Sequence, residues 1–291
     1  MANLILKVID PNLYNTISVT NWVTDPDDEV LKRVFTRDVE DALVYPATEI
    51  SGPSDAKITI GEGDGVLQVK NAGPKLYLSF MGHNLVRFEI RVYKWVNNAN
   101  SLAHTFNYTA SGQDMIAGVN ETNHLYELTS GFSSNGVSKI EIDDMIVHSD
   151  DDVLRIGHIA IHDGQNFEEN FVGPPGAQTI TPVHKEISSV FQMQDGSYRK
   201  INVNKKRDYQ FEFFIEESNA NFGSGNKGKW KKLLENSEKE DFYFVYDTDN
   251  LGVWGTAGYY FLDPNSQIGE TFLGNLSSNP RYIRGKFICA G

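Results

Sequence analysis

The stretch Asp195-Gly-Ser-Tyr-Arg-Lys-Ile-Asn-Val-Asn-Lys-Lys-Arg-Asp-Tyr-Gln-Phe-Glu-Phe-Phe-Ile215 decides the fold class. Asp195-Gly196 is a tight-turn pair, because glycine takes positive φ without strain and aspartate bonds its own backbone. After it Tyr198, then Ile201 and Val203, then Tyr209, Phe211 and Phe213 alternate with polar or charged neighbours. A period of two marks β-strands with one buried face. Lys205-Lys206-Arg207 falls between the two apolar sets and reads as a cationic hinge joining two strands.

Working outward, 291 residues with 40% hydrophobic content suit two ordinary cores better than one large one. Phe (17) and Tyr (13) dominate the aromatics, Gly is frequent (25), and long Ala/Leu-rich periodic stretches are missing, which favours β structure. The net charge of -13 argues against nucleic-acid binding, which needs a basic face to displace counterions. The first 165 residues hold 12 Lys+Arg against 23 Asp+Glu, a balance of -11, and the remainder 14 against 16, or -2. The acidity therefore lies in the first half, where it keeps the surface soluble and repels anions. The single cysteine, Cys289, permits neither an internal disulfide nor a Cys-based zinc site. The first residues lack the succession of a signal peptide, and no apolar run approaches the roughly 20 residues of a membrane span. The expectation is a soluble protein made in a cytoplasm.

Along the chain, strands are predicted over residues 3–9 and 16–23, followed by a short helix to about Arg33 with Thr24 or Asp25 as its cap and Pro26 in its first turn. Ile58-Thr-Ile60, the glycine-rich turn 61–65 and Val66-Leu-Gln-Val69 form a hairpin, so these glycines are no phosphate loop, which needs a helix directly afterwards. Further strands are predicted over 75–81, 85–95, around Phe106 and Tyr108, and over 125–128, 137–142, 145–148 and 153–161. Many short strands parted by Ser, Gly, Asn and Asp turns predict an antiparallel sandwich of the jelly-roll kind. Gly173-Pro-Pro-Gly176 and Thr181-Pro182 read as an extended connector. The expected layout is a jelly-roll-like domain over 1–165, a linker over 166–182 and a second β domain over 183–291. In the second domain, strands are predicted over 186–193, 198–203, 209–215, 242–247, 258–262, 270–273 and 281–288. One helix, over 229–235, places Trp230, Leu233 and Leu234 on a single face.

No catalytic signature emerges. There is no serine elbow, and a chain this rich in acids offers too many carboxylate pairs to single out one for glycoside hydrolysis. His158 and His162 share a strand face, but Asp163 falls on the other, so a third metal ligand is missing and the histidines read as solvated. Asp143-Asp144 and Asp150-Asp151-Asp152 lack EF-hand spacing; they are either solvated turns or oxygen donors for one Ca²⁺ in the first domain. Trp22, Trp95 and Trp254, with Tyr93 and Tyr108 behind them, could stack on sugar C–H faces, or pack in cores as aromatics commonly do.

The order of the second half resembles the tail-tube-like domain of bacteriophage tail and baseplate proteins, distal tail proteins especially. It runs from the Asp195-Gly196 turn through a basic-flanked strand pair and one Trp/Leu helix to Phe242-Tyr-Phe-Val-Tyr-Asp247 and Arg281-Tyr-Ile-Arg-Gly-Lys-Phe-Ile288. The resemblance covers about residues 173–291 and implies an all-β body that assembles edge to edge into a ring without chemistry of its own. The first half is similar in pattern to carbohydrate-binding and discoidin-like jelly rolls, with 64–69 and 153–161 as core strands, though without a family-defining motif. Together these imply a non-enzymatic virion protein of a phage tail, partnered by copies of itself, neighbouring tail or baseplate proteins and a host-surface glycan, with no cofactor. Lys205, Lys206, Arg207, Lys229, Lys231 and Lys232 would meet acidic surface on a neighbour. The alternative is a non-catalytic glycan-binding protein, and a remoter one is a polysaccharide-active enzyme.

Overall fold

The computed structural model describes residues 4–14, 16–36, 41–51, 56–61, 76–110, 122–129, 132, 136–163, 179–192, 198–215, 242–245, 257–263, 265, 267–270 and 281–289. The protein is all-β, built of several antiparallel sheets with two short α-helices among the described residues. It divides into two compact units. One comprises Ile5–Glu168 and Asp247–Ala257, the other Met1–Leu4, Glu169–Tyr246 and Gly258–Gly291.

The first unit contains β1 (Leu4–Val8), β2 (Ile17–Thr20), α1 (Asp28–Lys32), β3 (Leu43–Pro46), α2 (Thr48–Ser51), β4 (Lys57–Ile60), β5 (Leu76–His83), β6 (Leu85–Val96), β7 (Ala99–Thr109), β8 (Thr122–Leu128), β9 (Val137–Val147), β10 (Val153–Ile156) and β11 (His158–Asp163). One sheet runs β2-β4-β9-β6-β7, a second carries β1-β11-β5-β8, and β3 pairs with β10. Between the two larger sheets lies one apolar core. Ile58, Ile60, Phe88, Ile90, Val92, Ile140 and Ile142 come from the first, and Leu76, Leu78, Phe80, Leu128, Ile159 and Ile161 from the second. Period-two alternation places these residues on facing sides, the arrangement of a β-sandwich.

Several local departures from the sequence reading have physical causes. The residues 145–148 are not a separate strand: β9 runs through Asp143-Asp144 by a bulge, with Asp144 at φ 50°. In contrast, the single strand expected over 153–161 is split at Gly157, whose N–H bonds both Met81 O and Gly82 O at 3.1 Å. Its halves then pair in different sheets, β10 with β3 and β11 with β5. The cap of α1 is Asp27, not Thr24 or Asp25, so Pro26 precedes the helix; Asp28 and Glu29 supply the expected acidic first turn. β6 and β7 close a tight hairpin at Asn97-Asn98, both in the left-handed region at φ 52° and 61°. Asparagine tolerates that conformation better than most residues. The predicted hairpin arm 66–69 lies outside the described residues.

The second unit contains β12 (Thr179–Gln192), β13 (Tyr198–Ile215), β14 (Phe242–Val245), β15 (Ala257–Leu262), β16 (Gln267–Glu270) and β17 (Arg281–Cys289). Their order is β12-β13-β17-β15-β14, with β16 also on β17. β13 is one unbroken 18-residue strand, so Lys205-Lys206-Arg207 is no hinge: the three cations continue the ladder opposite Glu186, Lys185 and His184. The β12 ladder continues without a break through these three positions, and the second ladder, to β17, begins just beyond them at Tyr209. β12 begins at Thr179, which takes Thr181-Pro182 out of the expected connector and into an edge strand. Proline is tolerated there because an edge leaves N–H positions unused. Tyr209, Phe242, Phe244, Tyr260 and Phe287 form an aromatic core, with Phe244 5.1 Å from both Tyr209 and Phe287. Asp208, buried at its edge, pairs with Lys286 Nζ at 2.6 Å and accepts the Cys289 N–H. The helix expected over 229–235 lies outside the described residues.

Candidate functional site

The outward face of the five-stranded sheet in the first unit carries the densest polar constellation. Successive same-face positions of β6 are Arg87, Glu89, Arg91, Tyr93 and Trp95, and β9 places Lys139, Glu141 and Asp143 beside them by register. Arg91 pairs with Glu89 and, through Nη1, with Asp143 Oδ2 at 2.8 Å. Arg87 pairs with Asp144 on the bulge. Lys139 Nζ donates to Glu141 Oε1 at 2.9 Å and lies 4.2 Å from the Tyr93 ring centroid. The Tyr93 hydroxyl donates to Glu141 Oε2 at 2.6 Å.

These groups perturb one another in ways that follow from their surroundings. Burial and the hydrogen bond to Glu141 push the Tyr93 hydroxyl up to about 12. For Glu141, burial opposes the charge, yet the bonds from Lys139 and Tyr93 outweigh it and hold the carboxyl below its ordinary range. Asp143 goes the other way: burial raises it, Arg91 offsets only part, and Glu89 adds repulsion. Its Oδ1 has no hydrogen-bond partner among the described residues.

Beside Asp144 a cleft of about 660 Å³ opens between the end of β9, α2 and the loop after β9. Ile50, Ala56 and Met145 line it on the apolar side, and Asp144, His148, Asp151 and Asp152 on the polar side. His148 Nδ1 accepts the Asp150 N–H at 3.2 Å, and Asp151 accepts from Asn84 Nδ2 at 3.3 Å. Its volume falls within the range of small-ligand sites. Asp144 is tied to Arg87 on β6 and Asp151 to Asn84 between β5 and β6, and the described residues hold no group of three or more His, Cys, Asp or Glu arranged for a metal ion.

The aromatics named from the sequence scatter. Tyr93 and Trp95 stand two positions apart on the outward face of β6, half-buried. Trp22 is only 7% exposed and packs in the core against Tyr45 at 5.5 Å, so it presents no ring to solvent. Tyr108 faces inward opposite Phe88, with ring centroids 5.1 Å apart. Trp254, Lys229, Lys231 and Lys232 lie outside the described residues. Asp143 and Asp144, read as turn or Ca²⁺ donors, instead lie in β9 and answer Arg91 and Arg87. His158 and His162 are buried rather than solvated, and His162 Nε2 is 2.8 Å from Ser79 Oγ. The polar network was missed because its partners sit on strands about 50 residues apart; alternating charge along 87–94 is its one sequence signal.

What the fold and this face define is a class, an all-β protein with a sandwich unit whose polar side chains largely satisfy one another. No family model matches the chain, and no curated protein matches it. Among solved structures it is similar to a chain described as CpGH89CBM32-6 produced by Clostridium perfringens. The identity is 11% and the TM-score 0.29, over 51% of this chain and 93% of that one.

Proposed function

We propose that this protein is a non-catalytic structural component that assembles with copies of itself through its second unit, as a ring-forming tail or baseplate protein of a virion does. The observation that carries the reading is β12, a 14-residue strand at the margin of its sheet, hydrogen-bonded to β13 on one side and to no strand on the other among the described residues. Strands average about 5–6 residues, and a long open margin is a template for another chain unless it is blunted or occupied. Pro182, near its start, and the bulge in its pairing with β13 between Ile187 and Ser188 break its regularity without closing that margin. The backbone register supports the same reading: it sets Lys185 directly opposite Lys206, a placement of two cationic residue types that calls for a counter-charge. An acidic partner surface supplies that counter-charge and fixes register. The virion setting itself rests on the resemblance of the second half to tail-tube-like domains.

Adjacent backbone N–H groups of a strand point to opposite edges, so proline at Ser188 and at Ser189 tests the open margin directly. One of Ser188→Pro and Ser189→Pro interrupts the β13 ladder and lowers the melting temperature. The other interrupts only the outer margin and lowers the native mass, read by light scattering, with melting nearly unchanged. A wild-type protein that stays monomeric at high concentration overturns the proposal.

A further inference from the structure

Inside the first unit the two sheets meet through a layer of rings that contains histidines. Phe80, His83, His124 and Tyr126 come from β5 and β8, and Phe88, Phe106 and Tyr108 from β6 and β7. His83 reaches this layer only because β5 bulges: Gly82 takes φ 62°, and the register against β8 shifts between Phe80 and His83. The His83 and His124 rings are stacked at 5.1 Å and 13°, with Phe80 4.6 Å from the first and Tyr108 4.6 Å from the second.

The His83 imidazole has no room for a second proton, and the His124 ring stacked on it is largely buried. The Leu85 N–H donates to His83 Nδ1 at 3.2 Å, which fixes the neutral ring with its proton on Nε2. Charging His83 would place a proton on Nδ1, against that donor. The Nε2 atoms of both histidines are buried without a hydrogen-bond partner among the described residues. The titratable groups facing the pair are each other, Tyr108 from β7 and Tyr126 from β8; β5 and β6 contribute Phe80 and Phe88. Among the described residues no carboxylate in that ring layer compensates an imidazolium, and one charged ring would repel the next.

We propose that the stacked His83–His124 pair is an acid-operated latch, which holds the two sheets of the first unit together while both rings are neutral and releases them when a proton is taken up. Burial and the neighbouring His124 hold His83 well below its usual value, and burial brings His124 to about 4. The sign follows. Both groups bind protons more readily unfolded, with an ordinary value near 6.5, so their contribution is intact above that pH and is lost as pH falls from about 6.5 towards 4. Each histidine raises the opening constant about tenfold per pH unit in that window, and the pair about a hundredfold.

The test is a pH series from 8 to 4 on the full chain. Imidazole NMR signals report protonation, and amide exchange reports opening of β5 and β8. The expected result is that neither ring titrates in the folded protein near pH 6.5 and that β5 and β8 lose protection below it. His83→Asn keeps an acceptor for the Leu85 N–H, and His124→Phe keeps the stack. Together they should reduce the steepness of the pH dependence by about a hundredfold per unit, leaving the contribution of other groups such as His104 and His162. If either wild-type ring titrates near 6.5 with the sheets still protected, the latch is refuted; that measurement stands even if the variants fail to fold. Folded variants with unchanged steepness refute it as well.

Discussion

The two faces of the five-stranded sheet in the first unit solve the same problem in opposite ways. Inward, Phe88, Ile90, Val92, Ile140 and Ile142 meet rings and aliphatic chains, and burial itself is the stabilising term. Outward, Glu141 and Asp143 are each only 8% exposed, so charge has been taken from water and must be answered by Arg91, Lys139 and Tyr93. Burial therefore reports two different energies on one strand: a gain from removing carbon from water, and a cost offset by partners.

The comparison can be broken most severely from the inside. Phe88→Ala removes a ring that touches Phe80, His83, Tyr108 and His124, and is expected to cost about 3–5 kcal/mol in chemical denaturation. On the outside, Arg91→Met keeps the side-chain stem but leaves Asp143 and Glu89 unanswered. With Arg91 itself partly exposed, about 1–2 kcal/mol is expected at pH 7. That loss should shrink as pH falls, because burial raises the Asp143 carboxyl above its ordinary value and it gives up its charge sooner than a free carboxylate; a constant loss would show that the ion pair is not its source. Arg87→Ala sharpens the contrast at the small end. Its pair with Asp144 has both side chains nearly half exposed, so a melting change within about 0.5 kcal/mol is expected.

The inward face was legible in the sequence, because period two survives in Val86 to Trp95 whatever the strand pairs with. The outward network was not, since Arg91 meets Asp143 only through the β6–β9 register, and local spacing carries no information on register. Bulges defeated the reading in both directions. One makes Asp143-Asp144 look like a loop inside a strand, and another moves His83 to the side that its parity denies it. The cationic run 205–207 misled for a related reason: charge suggests a turn, whereas the ladder to β12 passes straight through these positions. Gly157 gave no warning either, because its role is to let the chain leave one sheet for another.

The Asn97-Asn98 corner has a practical consequence. Its two stems are zipped along ten residue pairs and its tip is exposed, so the backbone on either side is held whatever occupies the corner. A foreign peptide spliced between those two asparagines would be displayed at a clamped, outward-facing point, turning the corner into a mounting place for epitopes or labels.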